Sequence, residues 1–158
     1  MTLNPTDISW QFARLADIDV LTFHDVAKLR VDVFVVEQAC IYPEFDGIDA
    51  RDDTWHIMGK YQQQTIAYAR VMGPQEAPAD QSVHIGRVLV APDYRGRGIA
   101  RVLFQRAMQQ AAQQWPAHDV ALSAQVQVTG FYESFDFKKV SEVYMEDGIP
   151  HVDMVRKT

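Results

Sequence analysis

Apolar positions along this chain recur with two different periods, and the periods alternate from one segment to the next. A two-residue period or a short continuous apolar run predicts strands at residues 9–14, 55–61, 65–71, 83–90, 120–124, 140–145 and 151–155. Apolar residues three and four apart predict helices at residues 22–38, 98–115 and 126–135. Interleaved strands and helices favour an α/β fold in which helices cover both faces of a sheet.

The first predicted helix leads into a long acidic loop. Thr22 is predicted to cap the helix, with Asp25 three residues further on. The apolar stripe of this helix is Val26, Leu29, Val33 and Val36. Residues 41–54 then carry five Asp or Glu residues together with Pro43 and Gly47, which predicts a loop with a short helical turn. Its charge would either attract a cationic substrate or form an ordinary solvated surface.

The fourth predicted strand, residues 83–90, changes phase in its middle. The alternation of apolar residues breaks at Gly86 and Arg87 and resumes at Val88. A strand switches phase when an extra residue is inserted, so one interpretation is a β-bulge near residues 86–88, a feature that clusters at active sites. The other interpretation is a central strand that is buried on both faces.

A glycine-rich turn connects this strand to the helix that follows. The turn consists of Arg95, Gly96, Arg97, Gly98, Ile99 and Ala100. Free backbone N–H groups at a helix start bind anions, and two arginines add positive charge, so the turn predicts a phosphate site. The alternative is a turn with solvated arginines. A dinucleotide fingerprint fits poorly because Arg101 stands where its third glycine belongs, and the Gly-Lys-Ser/Thr of a nucleoside triphosphate loop is absent.

Composition limits the remaining possibilities. A length of 158 residues with 47% hydrophobic and 23% charged residues predicts one folded domain. The net charge of -6 argues against nucleic-acid binding, and no apolar run approaches the length of a membrane span. Cys40 is the single cysteine and the N-terminus lacks the pattern of a signal peptide, so we expect a cytoplasmic protein.

The glycine-rich turn resembles a motif of a known superfamily. Arg-x-x-Gly-x-Gly/Ala after a strand that ends in Val-x-Val is similar to the pyrophosphate-binding motif of the GNAT superfamily of acyl-CoA N-acyltransferases. Residues 122–137 resemble the next strand and helix of that superfamily, with Gln125 in place of a common Asn and Asp136 in place of a common Gly. The runs VFVVEQACIYPEFDGID, IGRV and EDGIPH resemble the ElaA-like subgroup.

The resemblance implies a fold and an acyl donor. The fold would be one N-acetyltransferase domain over residues 1–158, with a mixed, mostly antiparallel sheet of six to seven strands, helices on both faces and a bulged fourth strand. The donor would be acetyl-CoA, whose thioester oxygen would accept a hydrogen bond from a backbone N–H freed by the bulge. The residues implied in its binding are Val88, Leu89, Val90, Arg95, Gly96, Arg97, Gly98, Ile99, Ala100, Gln125 and Phe131.

The resemblance also implies direct attack by a primary amine, with two proton transfers. Tyr132 matches the tyrosine that protonates the departing thiolate, although a tyrosine in the core is the ordinary alternative. The base that deprotonates the amine has two candidates, His84 on the fourth strand and Glu37 at the end of the first helix. Either could instead be an ordinary structural or surface residue.

Several alternatives stay open from the sequence. His56 and His151 could line an acceptor pocket, and Glu146 and Asp147 could attract a cationic amine. No metal is expected because the histidines lack metal-ligand spacing. Cys40 could carry the acyl group in a ping-pong reaction, but we interpret it as a small buried hydrophobe. The chain could also be a non-catalytic acyl-CoA sensor, and a homodimer formed through the late strands is open.

Overall fold

One sheet forms the centre of the computed structural model, which describes residues 3–75 and 80–158. Its eight strands are β1 (Ser9–Ala13), β2 (Thr54–Tyr61), β3 (Gln64–Met72), β4 (Val83–Val90), β5 (Val120–Gln125), β6 (Lys138–Lys139), β7 (Tyr144–Glu146) and β8 (Ile149–Arg156). Their order across the sheet is β1-β2-β3-β4-β5-β8-β6, with β7 also paired to β8. Among the strands of the described residues only β4 and β5 are parallel, so the mixed, mostly antiparallel sheet is confirmed.

The count of eight strands differs from the predicted six to seven because one predicted strand is divided. Residues 140–145 were expected to form one strand, but β6 and β7 pair with β8 on either side of an irregular segment. The Ser141 hydroxyl accepts the Asp153 amide there (2.9 Å), and Val140 and Val143 stay exposed. The Asp153 amide is thus bonded to a side chain in place of a carbonyl of a neighbouring strand. The apolar pattern of the sequence does not reveal this local change of partner.

In the described part of the chain three α-helices accompany the sheet: α1 (Val20–Arg30), α2 (Ile99–Gln114) and α3 (Thr129–Glu133). The prediction of Thr22 as the cap of α1 is wrong. The Asp19 side chain caps the helix by accepting the Thr22 amide (2.9 Å), so α1 begins one turn earlier than expected. Asp is as good a cap as Thr, and the Thr22 hydroxyl instead accepts from Lys60 (2.8 Å).

The second half of the first predicted helix is a π-helix, Val31–Glu37. Its wider turns appear in the hydrogen bonds from the Gln38 amide to the Val33 carbonyl (3.2 Å) and from the Cys40 amide to the Val35 carbonyl (3.1 Å). The change of period rotates the apolar stripe. Val33 is therefore buried, whereas Val36, predicted to be buried, is 67% exposed.

The two longer helices lie on opposite faces of the central strands. Both α1 and α2 pack against β3, whose residues from Thr65 to Val71 are buried on both faces of the strand. The prediction of helices on both faces is thereby confirmed. Within residues 3–75 and 80–158, none of the helices combines the length and apolar character that crossing a bilayer requires.

Candidate active site at the divergence of β4 and β5

The parallel strands β4 and β5 pair at one end and then separate. In the described part of the chain, their pairing is confined to Val83 with Val120 and His84 with Ala121. Beyond these two pairs the second half of β4 has no strand on its β5 side. Its backbone amides and carbonyls are therefore available to a ligand that lies along the gap, as an added strand would.

A β-bulge lies in the part of β4 that borders the gap. Arg70 of β3 pairs with Gly86, and Tyr68 pairs with Leu89, so one residue of β3 lies opposite two residues of β4. Arg87 has a φ of +52°, a left-handed conformation that costs a non-glycine residue about 1–2 kcal/mol. The bulge interpretation of the phase change is therefore correct, and the fully regular buried strand is excluded.

The side chain of Arg87 holds the bulge against the acidic loop. Its Nε donates to both carboxylate oxygens of Glu44, at 3.1 and 3.0 Å. The guanidinium also lies over the rings of Phe34 and Tyr42, 5.9 and 5.5 Å from their centroids. Contacts on several sides fix the guanidinium, and they can offset the cost of the left-handed backbone.

The acidic loop is part of a buried ionic network, which sequence reasoning missed. Arg30 is 0% exposed and donates to Glu44 (2.6 Å) and Asp49 (2.7 Å). Arg70 donates to Asp46 (2.7 Å) and to Asp49 (3.2 Å). Glu44 and Asp49 are buried against these arginines, so both expectations, attraction of a cationic substrate and a solvated surface, are wrong for these two carboxylates. Asp46 is neutralised by Arg70 but stays partly exposed.

The network shifts the pKa of its carboxylates. Burial alone would raise the pKa of Asp46, but the hydrogen bond and charge of Arg70 outweigh burial and lower it to about 2. Burial is likewise outweighed at Asp49, where Arg30 and Arg70 lower the pKa. Both carboxylates therefore stay ionised at neutral pH, and the guanidinium groups keep their counter-charges.

His56 belongs to the same buried network and does not line a pocket. Its ring is 0% exposed, with Nδ1 2.7 Å from the Tyr68 hydroxyl and Nε2 3.0 Å from the Asp49 carbonyl. Burial lowers its pKa, which favours the neutral ring. The expectation that His56 contributes to an acceptor pocket is wrong because α1 and the acidic loop cover this part of the sheet.

The glycine-rich turn forms the start of α2 beside the end of β4. Gly96 and Gly98 have φ of +71° and +76°, and an added Cβ would meet no atom within 4 Å at either position. Backbone conformation, and not crowding, therefore explains these glycines. Gly98 is the residue before the first turn of α2, whose amides have no partner within the helix. The turn thus has the geometry of an anion site.

Arg95 and Glu37, predicted for different roles, form an ion pair with each other. Two Arg95 nitrogens donate to the two Glu37 carboxylate oxygens at 2.6 and 2.8 Å, and Arg95 Nε donates to the Val90 carbonyl at 2.9 Å. The hydrogen bond from Arg95 lowers the pKa of Glu37, which makes the carboxylate a weaker base. The ion pair connects the π-helix to the glycine-rich turn. The other arginine of the turn, Arg97, donates to the Asp93 carbonyl (3.3 Å).

Tyr132 lies in an aromatic cluster at the side of α2. Its ring centroid is 5.1 Å from that of Phe104 and 5.2 Å from that of Phe131. Burial raises the pKa of Tyr132 to about 12, so its phenol stays protonated at neutral pH. Asp136 adopts a φ of +67° after α3, as expected of a residue that replaces glycine at a helix end.

The other predicted residues lie on either side of the gap. Gln125, at the end of β5, donates to the Gln38 side chain (3.1 Å) and so contacts the end of the π-helix. His84 Nε2 lies 2.6 Å from Asp80 Oδ2. His84 is four residues before Val88, or about 13 Å along an extended strand. Its role as a base stays a prediction.

Cys40 is buried near the same region. Its thiol donates to the Asp147 carbonyl at 3.2 Å, which links the end of the π-helix to the turn between β7 and β8. This burial agrees with the interpretation of Cys40 as a packed side chain. Among residues 3–75 and 80–158, no group of three His, Cys, Asp or Glu side chains has the arrangement to hold a metal ion.

Comparison with known proteins identifies the family. Residues 32–158 match the family model described as an acetyltransferase (GNAT) domain. This chain belongs to the GNAT family. It is 38% identical to protein ElaA of Escherichia coli strain K12 over 150 residues, which cover 95% of this chain and 97% of ElaA. The resemblance to the GNAT superfamily and to its ElaA-like subgroup is confirmed.

Solved GNAT-related structures share the whole fold. The crystal structure of Escherichia coli ElaA has a TM-score of 0.89 and 37% identity to this chain. The match covers 95% of this chain and 99% of the ElaA chain. An acyl-CoA N-acyltransferase from Pseudomonas aeruginosa has a TM-score of 0.88 and 39% identity, covering 94% of this chain and 99% of that chain. The α/β fold is therefore that of the GNAT family, an acyltransferase family.

The sequence did not predict one cluster of polar side chains at the gap of this GNAT domain. Ser123, Tyr144 and Asp153 form a hydrogen-bonded chain, in which Tyr144 donates to Asp153 at 2.6 Å. Alternation of polar and apolar residues in residues 120–125 and 151–155 is visible in the sequence. That alternation shows which residues share a face of one strand, but the pairing of β5 with β8 was needed to bring the three side chains together.

Proposed function

We propose that this chain is an N-acetyltransferase that moves an acetyl group from acetyl-CoA to a primary amine by direct attack in a ternary complex. The observation that carries the proposal is the bulge at Arg87, in the part of β4 that borders the gap where β4 and β5 diverge. Membership of the GNAT family supports the reaction class. Because β1 lies outside the matched residues but pairs with β2, we assign residues 1–158 to one domain.

The acyl donor would lie along the gap. The amides at the start of α2 and the turn from Arg95 to Ala100 would hold its pyrophosphate, since a helix N-terminus and left-handed glycines present N–H groups to an anion. Val88, Leu89 and Val90 would pair with the pantetheine arm as a neighbouring strand does. Ile99, Gln125 and Phe131 would border the same path.

The bulge would then supply the chemistry of the oxyanion. An amide of the bulge that has no partner in β3 would donate to the thioester oxygen and to the oxyanion of the tetrahedral intermediate. Because Arg87 is anchored through Glu44 to the buried network, this amide would be in place before the substrate arrives. Preorganised donors of this kind contribute about 3–4 kcal/mol to the lowering of a barrier.

Tyr132 would complete the reaction by protonating the thiolate of CoA. Burial keeps its hydroxyl protonated, and the surrounding rings fix its direction. The phenol would transfer its proton as the carbon–sulfur bond breaks, and it would recover a proton from the nitrogen of the intermediate. General acid catalysis of this type contributes about 10²–10⁴-fold in rate.

Acetyl-CoA binding is tested by thermal shift. At about 100 times its dissociation constant, a ligand stabilises the fold by about 2.7 kcal/mol, which raises the melting temperature of a domain of this size by about 5–10 °C. Gly98→Ala is expected to reduce the shift because its φ of +76° disfavours alanine, whereas Gly130→Ala, with open space around it and no positive φ, is the matched control. A wild-type melting temperature unchanged by acetyl-CoA would contradict the proposal.

Turnover separates the enzyme from a non-catalytic sensor. Thiol release from acetyl-CoA is measured with hydroxylamine, a small nucleophile that is unprotonated at neutral pH, and with ethylamine, the simplest model of an aliphatic acceptor. We expect release that falls about 100-fold or more in Tyr132→Phe while acetyl-CoA binding persists. Binding without any release by the wild type would support the sensor.

Location and assembly are separate predictions. We propose a cytoplasmic location because the one cysteine, Cys40, is a buried free thiol. Self-association through the late strands stays a prediction, and sedimentation of the purified chain tests it.

A further inference from the structure

Polar side chains line one face of β5 and β8 beside the gap. The register pairs Ser123 with Asp153 and Gln125 with His151, and paired residues project from the same face of a sheet. The residues that alternate with these four along the two strands project from the opposite face of the sheet and are buried. They are Leu122, Ala124, Val152 and Met154. The hydrogen bond from Gln125 to Gln38 shows that the polar face is on the side of the π-helix.

This polar face lies level with the bulge. His84 of β4 pairs with Ala121 of β5, and the two strands run parallel. Two residues further along each strand, Ser123 is level with Gly86, immediately before the bulge. An amine that attacks a thioester held at the bulge would therefore approach within reach of Ser123 and of the side chains bonded to it.

Tyr144 lies at the centre of the hydrogen-bonded chain. β7 pairs Tyr144 with His151, and the two rings stack with centroids 6.2 Å apart. The Tyr144 hydroxyl donates to Asp153 Oδ1 at 2.6 Å and is also hydrogen-bonded to the Ser123 hydroxyl. The phenol oxygen thus has a carboxylate behind it, and Ser123 beside it is exposed.

The charge of Asp153 is not neutralised by a protein cation. Among the described residues, no Lys or Arg forms an ion pair with Asp153, in contrast to Glu44, Asp46 and Asp49. Burial and the hydrogen bond to Asp153 raise the pKa of Tyr144, so the phenol keeps its proton at neutral pH. An uncompensated carboxylate bonded to a neutral phenol attracts a cation to the phenol oxygen.

We propose that Tyr144 accepts a proton from the ammonium group of the acceptor and passes its own proton to Asp153. An N–H bond of the alkylammonium breaks and a bond to the phenol oxygen forms, while the phenol proton moves to Asp153 Oδ1. The nitrogen keeps the electron pair and attacks the thioester carbon. Asp153 later releases its proton to solvent, and the second nitrogen proton replaces the one that Tyr132 gives to the thiolate.

This inference rests on the proposed acetyl transfer and names the class of acceptor. An aliphatic amine has a pKa of about 10, so it is almost entirely protonated at neutral pH and needs a proton acceptor before it can attack. Tyr144 and Asp153 would supply that function and attract the cation. The acceptor would therefore be a protonated aliphatic primary amine, whereas a nucleophile that is already neutral would not need this pair.

The experiment compares ethylamine with hydroxylamine as nucleophiles, with thiol release from acetyl-CoA as the readout. Tyr144→Phe keeps the ring stacked on His151, and Asp153→Asn keeps the shape of the side chain. We expect each variant to lose about 100-fold or more of the ethylamine rate. The hydroxylamine rate should stay close to that of the wild type, because no deprotonation is required. Asp119→Asn, immediately before β5, is the control for the same substitution away from the gap.

The outcomes separate this inference from the proposed function. If the wild type releases no thiol with either nucleophile, acetyl transfer itself is contradicted. The inference alone is overturned if the wild type uses hydroxylamine but not ethylamine, if the variants retain the ethylamine rate, or if they lose both rates equally while acetyl-CoA still shifts their melting temperature. Because the two substitutions affect different atoms, a variant that fails to fold leaves the other to decide the question.

Discussion

Replacing Arg87 by alanine and by glycine tests whether the bulge exists as described. Both substitutions remove the guanidinium, so both lose the ion pair with Glu44 and the contacts with Phe34 and Tyr42. They differ only in the Cβ. At a φ of +52° that Cβ is unfavourable, whereas in an ordinary strand it is favourable.

The expected magnitudes follow from these contacts. Stripping one partner from a buried ion pair costs about 3–5 kcal/mol, but Glu44 keeps Arg30, so we expect the loss in Arg87→Ala to be about 2 kcal/mol. Arg87→Gly should be more stable than Arg87→Ala by about 1 kcal/mol because it relieves the left-handed strain. In an extended conformation the order would reverse, with glycine less stable by about 0.5–1 kcal/mol.

Urea unfolding of the wild type and the two variants measures these differences. An unchanged slope of the unfolding free energy against urea concentration would show that only the stability has changed. The rate with hydroxylamine provides a second readout. Both variants should lose about 10-fold or more of it, since the bulge amide is no longer held in place. An Arg87→Ala protein as stable as Arg87→Gly, or more stable, would refute the left-handed bulge.

Three further predictions concern other parts of the molecule. Phe104→Ala should destabilise the fold by about 3–5 kcal/mol in urea, because Phe104 is fully buried among four aromatic rings; a loss below 1 kcal/mol would exclude this packing. The pKa of Asp46 is lowered from 3.8 to about 2, so its contribution, about 1 kcal/mol for a pair that is partly screened by solvent, is complete above pH 4 and is lost as the pH falls towards 2. The stability of Asp46→Asn should change less over that range, and an identical pH profile would contradict the Arg70 pair. Cys40→Ala should keep its thiol-release rate with hydroxylamine, whereas complete inactivation of a folded variant would favour ping-pong transfer.

Local sequence was sufficient for features that depend on neighbouring residues. The phase change at Gly86 and Arg87 indicated the bulge, and Gly96 and Gly98 indicated a turn before a helix. Both rest on backbone conformations that a few adjacent residues determine. For the same reason the bounds of β2, β3, β4 and α2 lie within one or two residues of those predicted.

Contacts between distant segments were decided by the tertiary structure. Arg30 is 14 residues from Glu44 and 19 from Asp49, and Arg87 is 43 residues from Glu44. The sequence shows that these charges exist but not which of them meet. The acidic loop therefore suggested a cation site or a solvated surface, whereas folding pairs three of its carboxylates with arginines of α1, β3 and β4 and buries two of the three.

The two sides of the candidate site illustrate the same division. The sequence by itself determined the side that we propose for the acyl donor, because the bulge and the glycine-rich turn are continuous in the chain. The tertiary structure decided the opposite side, where Ser123, Tyr144 and Asp153 meet only after β5, β7 and β8 have paired. Strand register depends on long-range pairing, and a shift of one residue would turn Asp153 to the other face of the sheet.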